Sequence, residues 1–98
     1  MNTNDAFTIR RIKKSLELQK KQKNKYILLY NAIKHCIEKI ELPHDWILPA
    51  TRVLAKELSI SRTTVVKSYE LLQLEKLIIA KIGSGYRINN DVSVKTEN

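Results

Sequence analysis

The stretch Ser59-Ile60-Ser61-Arg62-Thr63-Thr64-Val65-Val66-Lys67-Ser68-Tyr69-Glu70-Leu71-Leu72 decides the fold of this chain. Ser61 predicts the start of a helix, because a serine at the N-cap accepts a hydrogen bond from one of the first unpaired backbone N–H groups. Val65, Tyr69 and Leu72 recur at i, i+4 and i+7, which gives this helix one apolar face. The opposite face carries cations and hydroxyls without a carboxylate: Arg62, Thr63, Thr64, Lys67 and Ser68.

A shorter helix is predicted immediately upstream, in the segment Arg52-Val53-Leu54-Ala55-Lys56-Glu57-Leu58. Its apolar residues Leu54, Ala55 and Leu58 are expected to be buried. A turn of three or four residues separates it from the helix that begins after Ser61. Two helices joined in this way, the second with a basic and hydroxylated outer face, are typical of a helix-turn-helix.

The segment that follows predicts a β-hairpin. Leu77 to Ile82 is apolar and rich in β-branched residues, so it predicts a strand. Gly83-Ser84-Gly85 contains both glycines of the chain and predicts a tight turn. Tyr86 to Ile88 returns as a second strand, and a hairpin in this position is a wing. The predicted fold class is therefore mainly α with a small β-hairpin (α+β), a winged helix-turn-helix with a three-helix core and an additional basic N-terminal helix.

Two helices are predicted before the helix-turn-helix. Lys25 to Ile40 has a wide apolar face and is expected to end before Pro43, which lacks an N–H donor and disfavours helical backbone at the residue before it. Trp46, which lies between two prolines, is interpreted as a packing residue. The first helix, from Ala6 to about Gln22, is very basic and has a narrow apolar stripe, formed by Ile9, Ile12 and Leu16.

The role of this first helix stays open at the level of sequence. It could be a solvated helix packed loosely on the domain, an arm that contacts phosphates, or a helix that pairs with a second protomer. Binding to a membrane surface ranks last, because the apolar stripe is short and poor in aromatic residues.

The composition indicates one small basic domain. The 98 residues carry a formal net charge of +8, with a sequence pI of about 9.8, and this favours a polyanionic partner. Residues 1–25 contain eight lysines and arginines against two carboxylates, a net +6. We therefore expect a basic N-terminal arm or helix (1–25), a winged helix-turn-helix domain (26–88) and a polar linker or tail (89–98).

Several function classes are disfavoured by the residues that the chain lacks. It has one cysteine, Cys36, and two histidines, His35 and His44, so neither a disulfide nor a convincing metal site is expected. Cys36 is interpreted as a small buried thiol and His35 as a surface imidazole. Paired carboxylates and an activated nucleophile are also missing, which argues against an enzyme. Without an apolar run of membrane-spanning or secretory length, a cytoplasmic location is expected.

Four blocks of residues stand in order between residues 29 and 88. They are Leu29-Tyr30 with Ile33, Cys36-Ile37 and Leu42; Leu48-Pro49-Ala50-Thr51-Arg52-Val53-Leu54-Ala55; Ser61-Arg62-Thr63-Thr64-Val65-Val66 with Tyr69, Leu72 and Glu75; and Gly83-Ser84-Gly85-Tyr86 with Ile88. At this spacing they resemble the N-terminal DNA-binding domain of the GntR superfamily of bacterial transcription regulators, and most closely its MocR-type branch. The resemblance covers about two-thirds of the chain.

The chain departs from the family's pattern mainly at turns. His44 and Asp45 stand where the family has a proline and a glycine, and Ile40 and Lys76 each replace a glycine. A residue other than glycine at such a turn costs on the order of 1 kcal/mol. Ser68 stands where the family usually has alanine, which is a small change.

The resemblance implies a role for each candidate residue. Arg52, on the second helix of the three-helix core, would contact a phosphate. Arg62, Thr63 and Thr64, at the start of the recognition helix, would enter the major groove. An arginine can bind guanine O6 and N7, and a threonine offers a hydroxyl or a methyl group. The full candidate DNA-binding set, which adds the helix cap, one backbone-contacting lysine and the wing, is Arg52, Ser61, Arg62, Thr63, Thr64, Lys67, Lys81, Gly83, Ser84 and Gly85.

The expected partner is double-stranded operator DNA, bound by a homodimer; no membrane is involved, and the sequence identifies no effector. The family's usual dimerising domain is not within these residues, so the chain is interpreted as an excised domain or a small free-standing protein. No metal or cofactor is assigned to the chain, since pyridoxal phosphate would belong to a C-terminal domain outside it. The alternative function is a protein–protein interaction module that kept the winged-helix shape. RNA binding is disfavoured, because no strand surface is rich in aromatic residues.

Overall fold

The computed structural model describes residues 3–19, 23–39, 42, 46–83 and 85–89. These residues form four helices and one antiparallel hairpin, in the order α1 Thr3–Leu16, α2 Lys25–Glu38, α3 Thr51–Leu58, α4 Arg62–Leu74, β1 Ile78–Lys81 and β2 Gly85–Ile88. In the hairpin, Ile78 is opposite Ile88 and Lys81 is opposite Gly85. The arrangement confirms the predicted fold class, with α2, α3 and α4 as the three-helix core and the hairpin as the wing.

Helix α4 begins where the sequence predicts. Ser61 is its N-cap in extended conformation, and the Ser61 side chain accepts a hydrogen bond from the Thr64 N–H at 3.1 Å. Val65, Tyr69 and Leu72 are completely buried. Both the cap and the apolar face predicted for this helix are therefore confirmed.

The two N-terminal helices end earlier than predicted. Helix α1 stops at Leu16, where the backbone N–H groups of Leu18 and Gln19 turn back to carbonyls three residues earlier. Leu18, in the turn that follows, is 70% exposed. Helix α2 ends at Glu38, and its predicted end at Ile40 lies, with Pro43, outside the described residues.

Helix α2 is the centre of the core and packs against both α1 and α4. Its buried side chains include the thiol of Cys36, as predicted, while the imidazole of His35 is half-buried rather than fully exposed. Leu42 and Leu48 extend the core into the segments that connect α2 to α3.

Helix α1 shares this core and is not packed loosely. Ile9 and Ile12 are buried, and the Ser15 hydroxyl donates a hydrogen bond to the Ala32 carbonyl of α2 at 3.1 Å. The outer side of α1 keeps the exposed cations Arg10, Lys13 and Lys14. The domain boundary at residue 25 stays a prediction, but α1 and α2 are joined by a continuous apolar contact.

Trp46 connects α1 to the wing, which bears out its interpretation as a packing residue. Its indole N–H donates to the Thr8 hydroxyl at 2.6 Å, and its ring meets Phe7 edge-on at 5.7 Å. The Trp46 carbonyl accepts from the Ile88 N–H at 2.9 Å, and the Leu48 N–H donates to the Tyr86 carbonyl at 2.8 Å. The segment before α3 thus pairs with β2 through an isolated antiparallel bridge between Ile47 and Arg87.

Tyr69, near the middle of α4, joins this helix to two other parts of the fold. Its hydroxyl donates to the Pro49 carbonyl at 2.7 Å, and its ring contacts Tyr86 of the wing edge-on at 4.9 Å. Burial raises the pKa of the Tyr69 phenol, so the hydroxyl keeps its proton and remains a donor. One side chain therefore joins α4 to the segment before α3 and to the hairpin.

Lys76 adopts the left-handed backbone conformation, with φ of 61°. This is the position at which the GntR pattern has glycine, and the turn geometry is kept although the glycine is not. The Asn89 side-chain amide donates to the Lys76 carbonyl at 2.7 Å and helps to hold the turn. Ser59, at the C-cap of α3, is also left-handed, with φ of 57°.

Replacing Lys76 with glycine is expected to raise the free energy of unfolding by about 0.5–1 kcal/mol. Glycine removes a left-handed strain of about 1–2 kcal/mol, and its greater freedom in the unfolded chain offsets part of the gain. Urea unfolding followed by circular dichroism measures the change. Lys76→Ala is the control, because it removes the same charge and keeps the strained Cβ; equal stabilisation of both variants would assign the effect to charge instead.

Replacing Tyr69 with phenylalanine is expected to lower the free energy of unfolding by about 1–3 kcal/mol, since it removes the donor that the Pro49 carbonyl bonds in a buried site. The same urea experiment measures it. Tyr86→Phe, which takes a hydroxyl from the neighbouring ring, should be close to neutral. A Tyr69→Phe protein as stable as the wild type would show that the hydrogen bond does not hold α4.

Candidate nucleic-acid interface

The first turn of α4 presents the predicted recognition residues outward. Arg62 and Thr63 are exposed, and Thr64 is half-buried. The Thr64 hydroxyl is engaged with the Ser61 hydroxyl at 2.8 Å, so these two side chains form a cap. Arg62 and Thr63 are thus the side chains of this turn that are open to a ligand.

The start of α3 lies beside the start of α4. The Arg62 Nε–H donates to the Thr51 hydroxyl oxygen at 3.1 Å, and Arg52, the next residue of α3, is exposed. Residues 51–54 and 62–65, all of them described, include no aspartate or glutamate. Two helix N-termini, each with the positive end of its dipole, therefore converge with two arginines, and this arrangement favours an anion.

Lys67 is exposed one turn along α4, as predicted, and its ammonium lies over the Tyr26 ring at 5.4 Å from the centroid. This contact places a cation at the junction between α4 and the first turn of α2. As an exposed cation farther along the helix than Arg62, Lys67 suits contact with the nucleic-acid backbone rather than with bases.

Ser68 was predicted to lie on the outer face, and this prediction is wrong. Its side chain is completely buried, and its hydroxyl lies 2.7 Å from the Tyr26 carbonyl and 3.0 Å from the Thr64 carbonyl. At i+3 from Val65 it belongs to the same face as Tyr69, so the helical spacing could have placed it correctly. Instead of reaching a ligand, it joins α4 to α2.

The wing exposes Lys81 and a wholly exposed Ile82 next to Gly83. Gly83 and Gly85 have φ of 79° and 77°, so the turn needs the left-handed backbone that glycine provides. Ser84 lies outside the described residues. The flanking residue Arg87 is half-buried, at the bridge between β2 and Ile47.

Thr51 is a residue of this surface that the sequence reasoning missed. Its side chain is 8% exposed, and its hydroxyl holds the arginine of a different helix. A threonine in the first turn of a helix is an ordinary helix-start residue, so the sequence gives no sign of its pairing with Arg62. The pairing depends on how α3 and α4 pack against each other.

Within residues 3–19, 23–39, 42, 46–83 and 85–89, no three His, Cys, Asp or Glu side chains lie close enough to hold a metal ion. None of the helices in these ranges has the length and apolar character to cross a membrane. The exposed large apolar side chain of α4 is Leu74, at the end farthest from Arg62.

The part of the chain that contains this surface, from α2 to β2, is similar to known proteins. The family model of bacterial regulatory proteins, gntR family, matches residues 25–88. Over 61 residues the chain is 39% identical to YdeL of Bacillus subtilis, an uncharacterized HTH-type transcriptional regulator, covering 62% of this chain and 13% of YdeL. Over 43 residues it is 42% identical to the HTH-type transcriptional regulator NorG of Staphylococcus aureus, covering 44% of this chain and 10% of NorG. The chain thus spans a small part of these relatives.

Solved structures show the same architecture. A transcriptional regulator from Oenococcus oeni superposes with a TM-score of 0.70 at 32% identity, covering 79% of this chain and 65% of that protein. YtrA from Sulfolobus acidocaldarius, a GntR-family transcription factor, superposes with a TM-score of 0.64 at 29% identity, covering 74% of this chain and 76% of YtrA.

Ser61→Ala is expected to lower the free energy of unfolding by about 1 kcal/mol, because α4 loses the side-chain acceptor at its start. Urea unfolding measures the loss. The reciprocal change Ala50→Ser serves as the matched control, since Ala50 is the N-cap of α3 and makes no side-chain cap bond. It should stabilise the protein by a similar amount. If Ser61→Ala leaves stability unchanged, the cap does not fix the start of α4.

Proposed function

The chain belongs to the gntR family of bacterial regulatory proteins, and on that premise we propose that it is a sequence-specific DNA-binding regulator of transcription. In this proposal α4 enters the major groove of an operator, and the wing lies on the adjacent backbone or minor groove. The observation that carries the proposal is the first turn of α4. There an exposed arginine and an exposed threonine stand on a capped helix start with no carboxylate beside them.

Each exposed residue has a role that its chemistry suits. Arg62 reads a guanine through O6 and N7, and Thr63 offers a hydroxyl to phosphate or a methyl group to thymine. Arg52 and Lys67 neutralise phosphates on either side of the groove. Because each neutralised phosphate releases counterions, binding weakens steeply as the salt concentration rises.

Lys81 and the two glycines Gly83 and Gly85 form the wing contact in this proposal. The left-handed glycine backbones have no Cβ, so the turn can approach a sugar–phosphate surface closely, and the exposed Lys81 stands beside it. The predicted contact of Ser84 stays a prediction, because that residue lies outside the described part of the chain.

The protein is further proposed to act as a homodimer on two half-sites, in the cytoplasm. A single domain of this size covers a modest DNA surface, and two copies on a palindromic site multiply both affinity and specificity. The four sequence blocks support placement in the MocR-type branch. Any pyridoxal phosphate site would then belong to a domain outside these 98 residues, and no residue of this chain is assigned to it.

A protein-interaction role without DNA reading is the less favoured candidate. It calls for a mainly apolar exposed surface on α4. In the described chain, the exposed positions Arg62, Thr63, Lys67 and Glu70 are polar or charged, and Leu74 stands apart from the helix start.

Arg62→Ala tests the proposal. Duplexes are first selected from a random oligonucleotide pool by the wild-type protein, and affinities for a selected and a random duplex are then measured by fluorescence anisotropy. The variant should lose about 1–3 kcal/mol of discrimination between the two, the contribution of one bidentate arginine–guanine pair.

The matched control is Lys39→Ala, which removes one exposed positive charge at the C-cap of α2, the opposite end of that helix from Tyr26, which contacts Lys67. It should leave discrimination unchanged. If Arg62→Ala weakens binding to both duplexes equally, Arg62 touches phosphate alone and the assigned reading role is wrong.

A further inference from the structure

We propose that Thr51 is a positioning residue for Arg62: its hydroxyl holds the Nε–H of the arginine, so that the two terminal amino groups form the fork that reads guanine. The inference deepens the proposed function and rests on it. It adds a residue from α3 to a reading site otherwise built from the first turn of α4.

The hydrogen bond between Arg62 and Thr51 joins an exposed donor to a buried acceptor. The Nε–H of Arg62 can only donate, and its distance to the Thr51 hydroxyl oxygen is 3.1 Å. Thr51 is 8% exposed, whereas Arg62 is exposed. Because a β-branched side chain has few allowed rotamers about its first torsion, the buried threonine offers its oxygen from a restricted set of positions.

This bond selects one edge of the guanidinium. An arginine can meet a two-acceptor partner through its Nε–H and one terminal amino group, or through both terminal amino groups. With the Nε–H donated to Thr51, the edge formed by the two terminal amino groups remains for guanine O6 and N7. The side chain is also partly ordered before it binds, which lowers the entropy lost on association.

A hydroxyl suits this task better than a carboxylate would. A glutamate or aspartate at residue 51 could form a two-point salt bridge with the guanidinium and occupy the fork that must face the base. The threonine hydroxyl takes one donor and adds no charge. The pair therefore orients the arginine and leaves its positive charge available to DNA.

The first measurement concerns the hydrogen bond itself and needs no DNA. The Nε–H signal of Arg62 is identified in NMR spectra by its loss in Arg62→Lys, and its exchange with water is compared among wild type, Thr51→Ser and Thr51→Val. Slow exchange is expected in the wild type and in Thr51→Ser, and loss of that protection in Thr51→Val. Protection that survives in Thr51→Val would overturn the inference.

The second measurement concerns reading. A duplex selected from a random pool by the wild type is compared with versions in which single guanines are replaced by deazaguanine, which lacks the N7 acceptor. The guanine that Arg62 reads is the one whose replacement weakens binding of the wild type but not of Arg62→Ala. For this guanine, Thr51→Val should discriminate between the selected and the deazaguanine duplex about fivefold less than the wild type, the lower end of what one bidentate pair supplies. Thr51→Ser should keep most of it.

A structural role for Thr51 would give a different result. In that case Thr51→Val would weaken binding to the selected and the deazaguanine duplexes by the same factor, and it would do so equally in an Arg62→Ala background; either outcome overturns the inference. Thermal unfolding monitors each variant, and Thr51→Ala replaces Thr51→Val if the latter does not fold.

The inference and the proposed function fail in distinguishable ways. If the pool yields no enriched sequence, the proposed function is wrong, and this inference falls with it. If a sequence is enriched and Arg62→Ala loses discrimination while Thr51→Val keeps it, the function stands and the positioning role of Thr51 is wrong.

Discussion

The burial of one tyrosine is the constraint on which this structure depends. Tyr69 has no exposed surface, and its hydroxyl makes its hydrogen bond inside the protein by donating to the Pro49 carbonyl. Since an unpaired hydroxyl in such a place is costly, the rotation of α4 about its own axis is fixed by this bond and by the apolar residues beside it. The same ring meets Tyr86, so the wing is set relative to α4 by the side chain that orients the helix.

Once α4 is oriented, the outward face follows. The side of the helix that carries Val65, Ser68 and Leu72 is sealed against the core, and the first turn emerges with Arg62 and Thr63 toward solvent. The contact between Arg62 and Thr51 then joins the two helices of the helix-turn-helix at their positive ends. Charge, hydroxyls and helix termini thus meet at one place, although the residues come from two separate segments.

Helix α1 is packed into this framework. Ile12 and Ser15 fasten it to α2, and the Thr8 hydroxyl receives the indole N–H of Trp46, whose carbonyl in turn accepts the N–H of Ile88 in β2. A continuous set of contacts therefore leads from α1 to the wing. The cations on the outer side of α1 therefore stand on a helix whose inner face is buried in the core, which the charge of residues 1–25 alone did not indicate.

Sequence by itself determined the order of the elements, the cap at Ser61, the burial of Tyr69 and the glycine turn of the wing, because caps, helical spacing and left-handed turns are local properties of a few neighbouring residues. Tertiary structure alone decided that the Ser68 hydroxyl bonds the Tyr26 carbonyl of α2, that Lys76 keeps a glycine-like turn with the help of Asn89, and that Thr51 holds Arg62. Each of these contacts joins residues 11 or more positions apart, at distances set by how whole helices pack. No local pattern encodes a hydrogen bond whose two partners meet only after the core has formed.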